Sequence, residues 1–575
     1  MCLAYLHAAG KKLPSPKTNF TTTYMSFLPE PYQPPFEIDP KYQKSVAYFS
    51  SEFAIDQTLK IYSGGLGFLA GSHMRSAYDL KQNLIGIGIL WSYGYYNQAR
   101  GENREMAVQH RRKHYHFLKD TGIKYTIKIH DHDVWVKVMH LPAETFGTAP
   151  MFFLTTDLEE NDVMSRTISH RLYDSDFLTR TAQYILLGIG GATLLDKLGV
   201  DPDVWHLNEA HALSAAFHVY GKTKSVEEVK KRFVFTTHTP VEAGNEKSSF
   251  DLLHKFTFFN GLTKDEARKL CGVEDDEFNH SLAALRLSHK ANAVSKLHGD
   301  VSRNMWKDAS GICEIDHVTN AQNKKYWVDE ALEAAREAGD IKALAKRKRE
   351  LKKLLFKEVA DQTGRLLDPD YLTIVWARRF AGYKRADLVT RDLERFEAML
   401  KSTDRPVQII WAGKPYPKDY GAIDTFNHLV KLTKKYKNAT VLVNYELALS
   451  KLMKDGSDLW LNNPIVTLEA SGTSGMTAAM NGSVNISTND GWVCEFAKDG
   501  HNSFIIPEAD PELSDEARDQ HDLLGFYQVM DTVVLPTYYD NSDDWWKIVL
   551  NSMNDVVPFF DSGRMADEYY TKMYS

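Results

Sequence analysis

Short apolar runs that end in polar residues recur along this chain, with helical stretches between them. SVAYFSSEF, VWHLNEAH and RFVFTTHT each read as a buried strand whose last residues turn polar, followed by a loop or helix signal. That rhythm predicts a parallel sheet of βα units, in which ligand groups gather at the strands' carboxyl ends. Residues 125–141, YTIKIHDHDVWVKVMHL, alternate with period two and predict an inserted hairpin. Residues 1–40 read as irregular and proline-containing. Residues 328–362 are strongly helical, and their dense charges read as a solvated helix face. A second series then begins: YLTIVWARRF, VQIIWAGK, ATVLVNYE, DLWLNNP and SVNIST. Two doubly wound α/β domains are expected, divided near residue 365, with a ligand cleft between them.

Composition narrows the function classes. The chain has 575 residues, 43% hydrophobic and 25% charged, enough for two or more cores. A net charge of -7 leaves no broad basic excess for a nucleic-acid partner, so an anionic ligand needs a local basic site. Cys2, Cys271, Cys313 and Cys494 are far apart with no CxxC pair, which argues against a disulfide framework or a zinc site and fits a reducing cytoplasm. His130 and His132 have no evident third ligand, so no metal is expected. YILLGIGGATLL (184–195) is too short to span a bilayer, and the N-terminus lacks the layout of a signal peptide. A cytoplasmic protein with no membrane partner is expected.

Seven stretches carry candidate chemistry. YSGGLGFLAGSHMRSAYDL places Gly64, Gly65 and Gly67 ahead of a helix, where bare backbone can approach an anion. ARRFAGYKRADL puts Arg378, Arg379, Lys384 and Arg385 just past an apolar strand, so these cations are expected to line the cleft and take a phosphate. His238 ends the strand in FTTHTPVEAGNE; His206, Asn208, Glu209 and His211 in HLNEAHA, Asn320 in HVTNAQN and Tyr445 in LVNYELAL add the polar groups that suit a sugar's hydroxyls. EASGTSGMTAAMNGS (469–483) joins Glu469 to a small-residue loop and a helix start, yet holds no lysine. There is no GxSxG elbow, HExxH helix or P-loop, which counts against a serine hydrolase, a zincin and a P-loop NTPase.

Taken in order from about residue 45 to 495, VAYFSSEF, YSGGLGFLAGSHMRSA, HLNEAHA, FTTHTPVEAGNE, LHGDVSRNMW, VTNAQN, WARRFAGYKRADL, IIWAGKPYP and LWLNNPIVTLEASGTSGM resemble the α-glucan (glycogen, starch, maltodextrin) phosphorylases, especially their short bacterial form. The resemblance implies a GT-B fold: a first Rossmann-like domain over 1–365, a second over 366–540, and helices over 541–575 that cross back to the first. It implies retaining phosphorolysis of α-1,4-glucan or maltodextrin to glucose 1-phosphate, with pyridoxal phosphate as cofactor. It places Arg379 and Lys384 on the substrate phosphate, with Arg378 beside the cofactor phosphate. His238 falls near the sugar's C6 hydroxyl, and Gly64, Gly65 and Gly67 over the anions. Asn320, Tyr445, Glu469, Ser471 and Gly472 hold the sugar, while Thr473, Ser474 and Gly475 adjoin the cofactor. A homodimer is among the expectations.

One departure is chemical. Where the family has the lysine that forms a Schiff base with pyridoxal, this chain has Thr477, which has no amine. Three readings stay open: a phosphorylase holding pyridoxal phosphate noncovalently, a retaining transferase that uses a sugar nucleotide without pyridoxal, and a non-catalytic glucan-binding protein. VTNAQN and FTTHTPVEAGNE also depart from the family's usual sequence.

Overall fold

A computed structural model describes residues 31–575; the irregular reading of residues 1–30, and Cys2, lie outside the described residues. Fifteen strands build the two main sheets. Those of the first are β1 (Val46–Phe49), β2 (Leu84–Ile89), β3 (Lys119–Ile129), β4 (His132–Leu141), β5 (Met151–Thr155), β6 (Val204–Asn208), β7 (Phe233–Thr237), β8 (Lys290–Ala293) and β9 (Glu314–His317). Their order is β9-β8-β7-β6-β1-β2-β5-β4-β3, parallel except where β4 pairs with β3 and β5. The second sheet holds β10 (Leu372–Ala377), β11 (Val407–Ala412), β12 (Ala439–Leu442), β13 (Leu459–Asn462), β14 (Val484–Ser487) and β15 (Ser503–Ile505), in the order β12-β11-β10-β13-β14-β15. Every pairing in it is parallel. This is the GT-B arrangement of two doubly wound sheets.

The apolar runs became strands because both sheet faces are covered. Every residue of β1, β6, β7, β10 and β11 is buried, as expected of parallel strands under helices. The alternating segment is indeed an antiparallel hairpin, but it is not a separate insertion. Leu141 to Lys137 of β4 pair with Met151 to Thr155, so it extends the first sheet at its edge.

The charged stretch forms two helices, Glu330–Glu337 and a 23-residue helix, Ile341–Thr363, with Gly339 between them. Its charges are not all solvated. Lys348 donates to the carbonyls of Asp455 (2.7 Å) and Asn481 (2.8 Å), and Lys352 donates to Asp458 (2.6 Å), so this helix packs with the second sheet although it precedes the boundary expected near residue 365. Helical period alone did not separate these two from their exposed neighbours.

The C-terminal helices Ser542–Phe560 and Ser562–Glu568 end against the first sheet's helices. Ser562 and Ser76 hydroxyls lie 2.6 Å apart, Gln82 donates to the Ala566 carbonyl, and Tyr574 meets His206 at 2.6 Å. Across the cleft wall, Tyr96 donates to the Pro415 carbonyl (2.8 Å), Gln98 to that of Gly413 (2.9 Å), and the Asn444 amide to Gln98 (2.9 Å). No helix among the described residues is long and apolar enough to cross a membrane.

Candidate active site

Strand order places the site. The first sheet reverses between β1 and β6, and the second between β10 and β13, and ligands bind outside the carboxyl ends at such points. The loops that leave those ends line one cavity of about 420 Å³, within the range of small-ligand sites. Glu52 follows β1, Glu209 follows β6 and His238 follows β7; Arg378 and Arg379 follow β10, and Glu469 follows β13. The chain thus folds widely separated motifs onto one space.

Its electrostatic centre is Glu469. Lys384 donates to its carboxylate at 2.6 Å and Arg378 at 2.9 Å. Burial raises this carboxyl's pKa, but the two cations outweigh it and hold the value down to about 2. The acid is therefore ionised at any working pH. Arg379 stands apart: it opens into the cleft, and no hydrogen bond or ion pair ties it to the described residues. Buried Arg378 has Nε and Nη1 without partners. Three cations thus face one carboxylate, and several of their N–H donors are free, which suits a doubly charged phosphate.

The opposite wall is neutral bare backbone. Gly64 and Gly65 open the helix Gly65–Asp79, and a Cβ at either would meet nothing within 4 Å, so the space above them is clear. Gly67 is there for packing: its Cβ would lie 2.7 Å from the Glu52 carboxylate. That buried carboxylate accepts from the Ser63 amide (2.6 Å), the Gly64 amide (3.1 Å) and Tyr173 (2.7 Å), which fixes the loop.

The sugar-suited residues divide. His238 stands 2.8 Å from Asn208, and burial lowers its pKa to about 3, so the ring is neutral. Its amide donates to Glu209 (2.5 Å), whose φ of +67° is a strained value for a non-glycine residue. Burial raises the Glu209 pKa to about 7. Asn320, Tyr445, Ser471, Gly472, Thr473 and Ser474 line the cavity, and the Asn320 carbonyl oxygen is buried without a partner. His206 does not reach it; its ring is buried between Tyr574 and Thr236. Arg385, expected among the cleft cations, turns away to Asn463, Pro464, Asp519 and Asp522, because its own residue takes a left-handed φ of +49°. Gly475 also lies off the cavity, packed where a Cβ would meet Asn485 at 2.5 Å.

Thr477 is fully buried on the helix Ser474–Met480, and its hydroxyl contacts the Ser474 carbonyl at 3.1 Å and that of Thr473 at 3.4 Å. It is not part of the cavity wall. The structure also brings in residues that the sequence reading did not single out. Glu246 accepts from Tyr184 (2.6 Å) and Arg180 (3.1 Å) beside His211 and His280. Asp490 accepts from the Glu469 amide (2.9 Å), and burial raises its pKa to about 7. Strand-end position could have flagged Glu52; Asp490 carried no local signal. Among the described residues no cluster of three potential ligands is set to hold a metal.

Comparison with known proteins gives concordant matches. The sequence model of a family described as carbohydrate phosphorylase matches residues 315–520. An uncharacterized protein of Methanocaldococcus jannaschii is 45% identical over 92% of this chain and 100% of its own length. The maltodextrin phosphorylase of Thermococcus litoralis is 34% identical over 93% of this chain and 71% of its own length. The glycogen phosphorylase of Aquifex aeolicus is 31% identical over 93% of this chain and 86% of its own length.

Proposed function

The chain belongs to the carbohydrate phosphorylase family, and on that premise we propose that it transfers α-glucosyl groups with retention, cleaving α-1,4-glucan with phosphate to give glucose 1-phosphate. One observation carries the reading: Arg378 and Lys384 converge on Glu469 while Arg379 opens into the cleft with no hydrogen bond to the described residues, opposite the open backbone of Gly64 and Gly65. A phosphate between the two walls would meet charged donors on one side and, on the other, the first-turn amides of the helix that begins at Gly65, the Gly64 amide being held by Glu52.

In this reading Arg379 and Lys384 hold the phosphate that attacks or leaves, and their charge stabilises it as the glycosidic bond breaks. Glu469 accepts from a sugar hydroxyl while its two cations keep it ionised. Asn320, Tyr445, Ser471 and Gly472 fix the remaining hydroxyls. Neutral His238 presents its ring or carbonyl to the sugar's C6 side, and Glu209, half-protonated near neutral pH, faces the same space.

Pyridoxal phosphate is the cofactor that the family implies. Arg378, Thr473 and Ser474 line the same cavity, and the unpartnered Nε and Nη1 of Arg378 are donors suited to its phosphate. When bound, the cofactor supplies a phosphate that exchanges a proton with the substrate phosphate. Position 477 provides no amine for its aldehyde, and this favours a second reading, in which the same cations hold the diphosphate of a sugar nucleotide. Two incubations separate them: maltoheptaose with phosphate, and ADP- or UDP-glucose with a maltodextrin acceptor. Product in the first supports phosphorolysis; product in the second alone would transfer the assignment to the nucleotide; folded protein inactive in both would leave a glucan-binding module.

A further inference from the structure

Asn320 is 3% exposed and lines the cavity, and its side-chain oxygen has no partner among the described residues. A buried amide oxygen left free calls for a donor that the ligand brings, and a sugar hydroxyl is one. With no bond at that oxygen, the side chain must be aimed by its backbone. The Asn320 amide donates to the Val294 carbonyl at 2.9 Å, and the Thr319 carbonyl of the same peptide plane accepts from Arg564 Nη2 at 3.0 Å. A peptide unit is rigid, so two bonds at its opposite edges fix the direction in which Asn320 leaves the backbone.

Arg564 comes from the far end of the chain. The helix Ser542–Phe560 buries Trp545, Val549 and Met553 in the second domain's core, and the next helix, Ser562–Glu568, buries Met565 in the first. Residues 560–562 are thus the crossing between the domains, and the Asn320 loop is laced to it. The Gln322 amide donates to the Phe560 carbonyl (3.0 Å), the Ser562 amide donates to the Gln322 carbonyl (3.0 Å), and the Lys324 amide donates to the Asp561 carboxylate (3.1 Å). Arg564 is itself well held. Its Nε donates to the Phe559 carbonyl (2.7 Å) and its Nη1 to Glu568 (2.7 Å), while the guanidinium lies 4.2 Å from the centre of the Phe559 ring. Two arms are anchored, and the third, Nη2, faces Thr319.

We propose that Arg564 is a positioning residue for the sugar: it sets the Thr319–Asn320 peptide so that the Asn320 side chain meets a glucosyl hydroxyl. Arg564 is not in the cavity wall and reaches the ligand only through Asn320. The inference rests on the proposed glucan reading of the cavity.

Calorimetric titration of the whole protein with maltoheptaose and, separately, with inorganic phosphate tests it. Arg564→Met keeps an apolar stem over Phe559 and removes every donor; it should bind maltoheptaose roughly three- to tenfold more weakly, and phosphate as wild type does. Asn320→Ala should weaken maltoheptaose too, and adding Arg564→Met to it should weaken it no further, because both changes remove one interaction. Glu568→Gln leaves the Thr319 bond in place and should keep wild-type affinity. Should Arg564→Met misfold, Arg564→Lys, which keeps the charge but not the fork, serves in its place. Wild-type maltoheptaose affinity in the Arg564 variant, equal weakening toward phosphate, or losses that add in the double variant would overturn the inference. Maltoheptaose binding without phosphorolysis would sink the functional reading and leave this one standing; phosphorolysis with affinity unchanged in the Arg564 variant would do the reverse. A folded wild type that binds no maltoheptaose would sink both.

Discussion

Removing the Arg379 side chain separates binding from folding, because the described protein offers it no hydrogen bond to lose. It is a cation beside two others, Arg378 and Lys384, which already share Glu469. Truncation breaks no hydrogen bond and forfeits only the Coulombic attraction of Glu469, so Arg379→Ala should unfold close to the wild-type temperature. Binding should respond differently. A charge-assisted hydrogen bond to phosphate contributes roughly 1.5–3 kcal/mol, which corresponds to about a ten- to hundredfold loss of phosphate or glucose 1-phosphate affinity. Neutral maltodextrin should bind almost unchanged. Calorimetric titration with each ligand, beside thermal unfolding of the free proteins, reads all three quantities. Equal weakening toward anion and neutral glucan, or unchanged anion affinity, would refute the placement of Arg379 on the phosphate.

Other outcomes follow from the same geometry. Glu469→Gln removes the charge that Arg378 and Lys384 share and should lower turnover more than anion affinity, as steady-state kinetics would show. Asp490 and Glu209 have carboxyl pKa values raised to about 7 by burial, above those of unfolded chains. Between roughly pH 4 and 7 the unfolded chain ionises them while the folded protein keeps the proton, so each contributes a fall in stability of up to about 1.4 kcal/mol per unit as pH rises, against the opposite contribution of buried neutral imidazoles such as His73 and His238. Chemical denaturation of wild type and Asp490→Asn across that range isolates the Asp490 contribution: the variant's stability should gain on that of wild type as pH rises, and a difference that does not change with pH would count against it. Thr477→Lys restores an amine at the family position, and borohydride trapping should then find label on residue 477; a variant that folds but takes no label there would show that the ring is not held beside this helix.

Much of the architecture was legible because parallel strands buried on both faces leave unbroken apolar runs, and polar residues at their ends mark the cleft. Arg378, Arg379, Lys384 and His238 were found in that way, Glu469 from the small-residue loop it opens, and the structure gathers them around one cavity. What sequence concealed was side-chain direction. Arg385 is adjacent to Lys384 yet faces Asp519 and Asp522, because a left-handed backbone turns it inward. Lys348 and Lys352 looked like solvated charges, and only the packing of Asp455 and Asp458 against their helix makes them interior. Asp490 became visible only when folding set it under the Glu469 amide.

The central claim is that phosphate attacks an α-1,4-glucan here and configuration is retained. Phosphorus and proton magnetic resonance of one reaction, maltoheptaose plus phosphate with purified protein supplemented with pyridoxal phosphate, tests it most directly. A phosphomonoester signal should grow as phosphate declines, with the anomeric coupling of the α form. An unchanged phosphate signal from folded protein, or a β anomer, would contradict it.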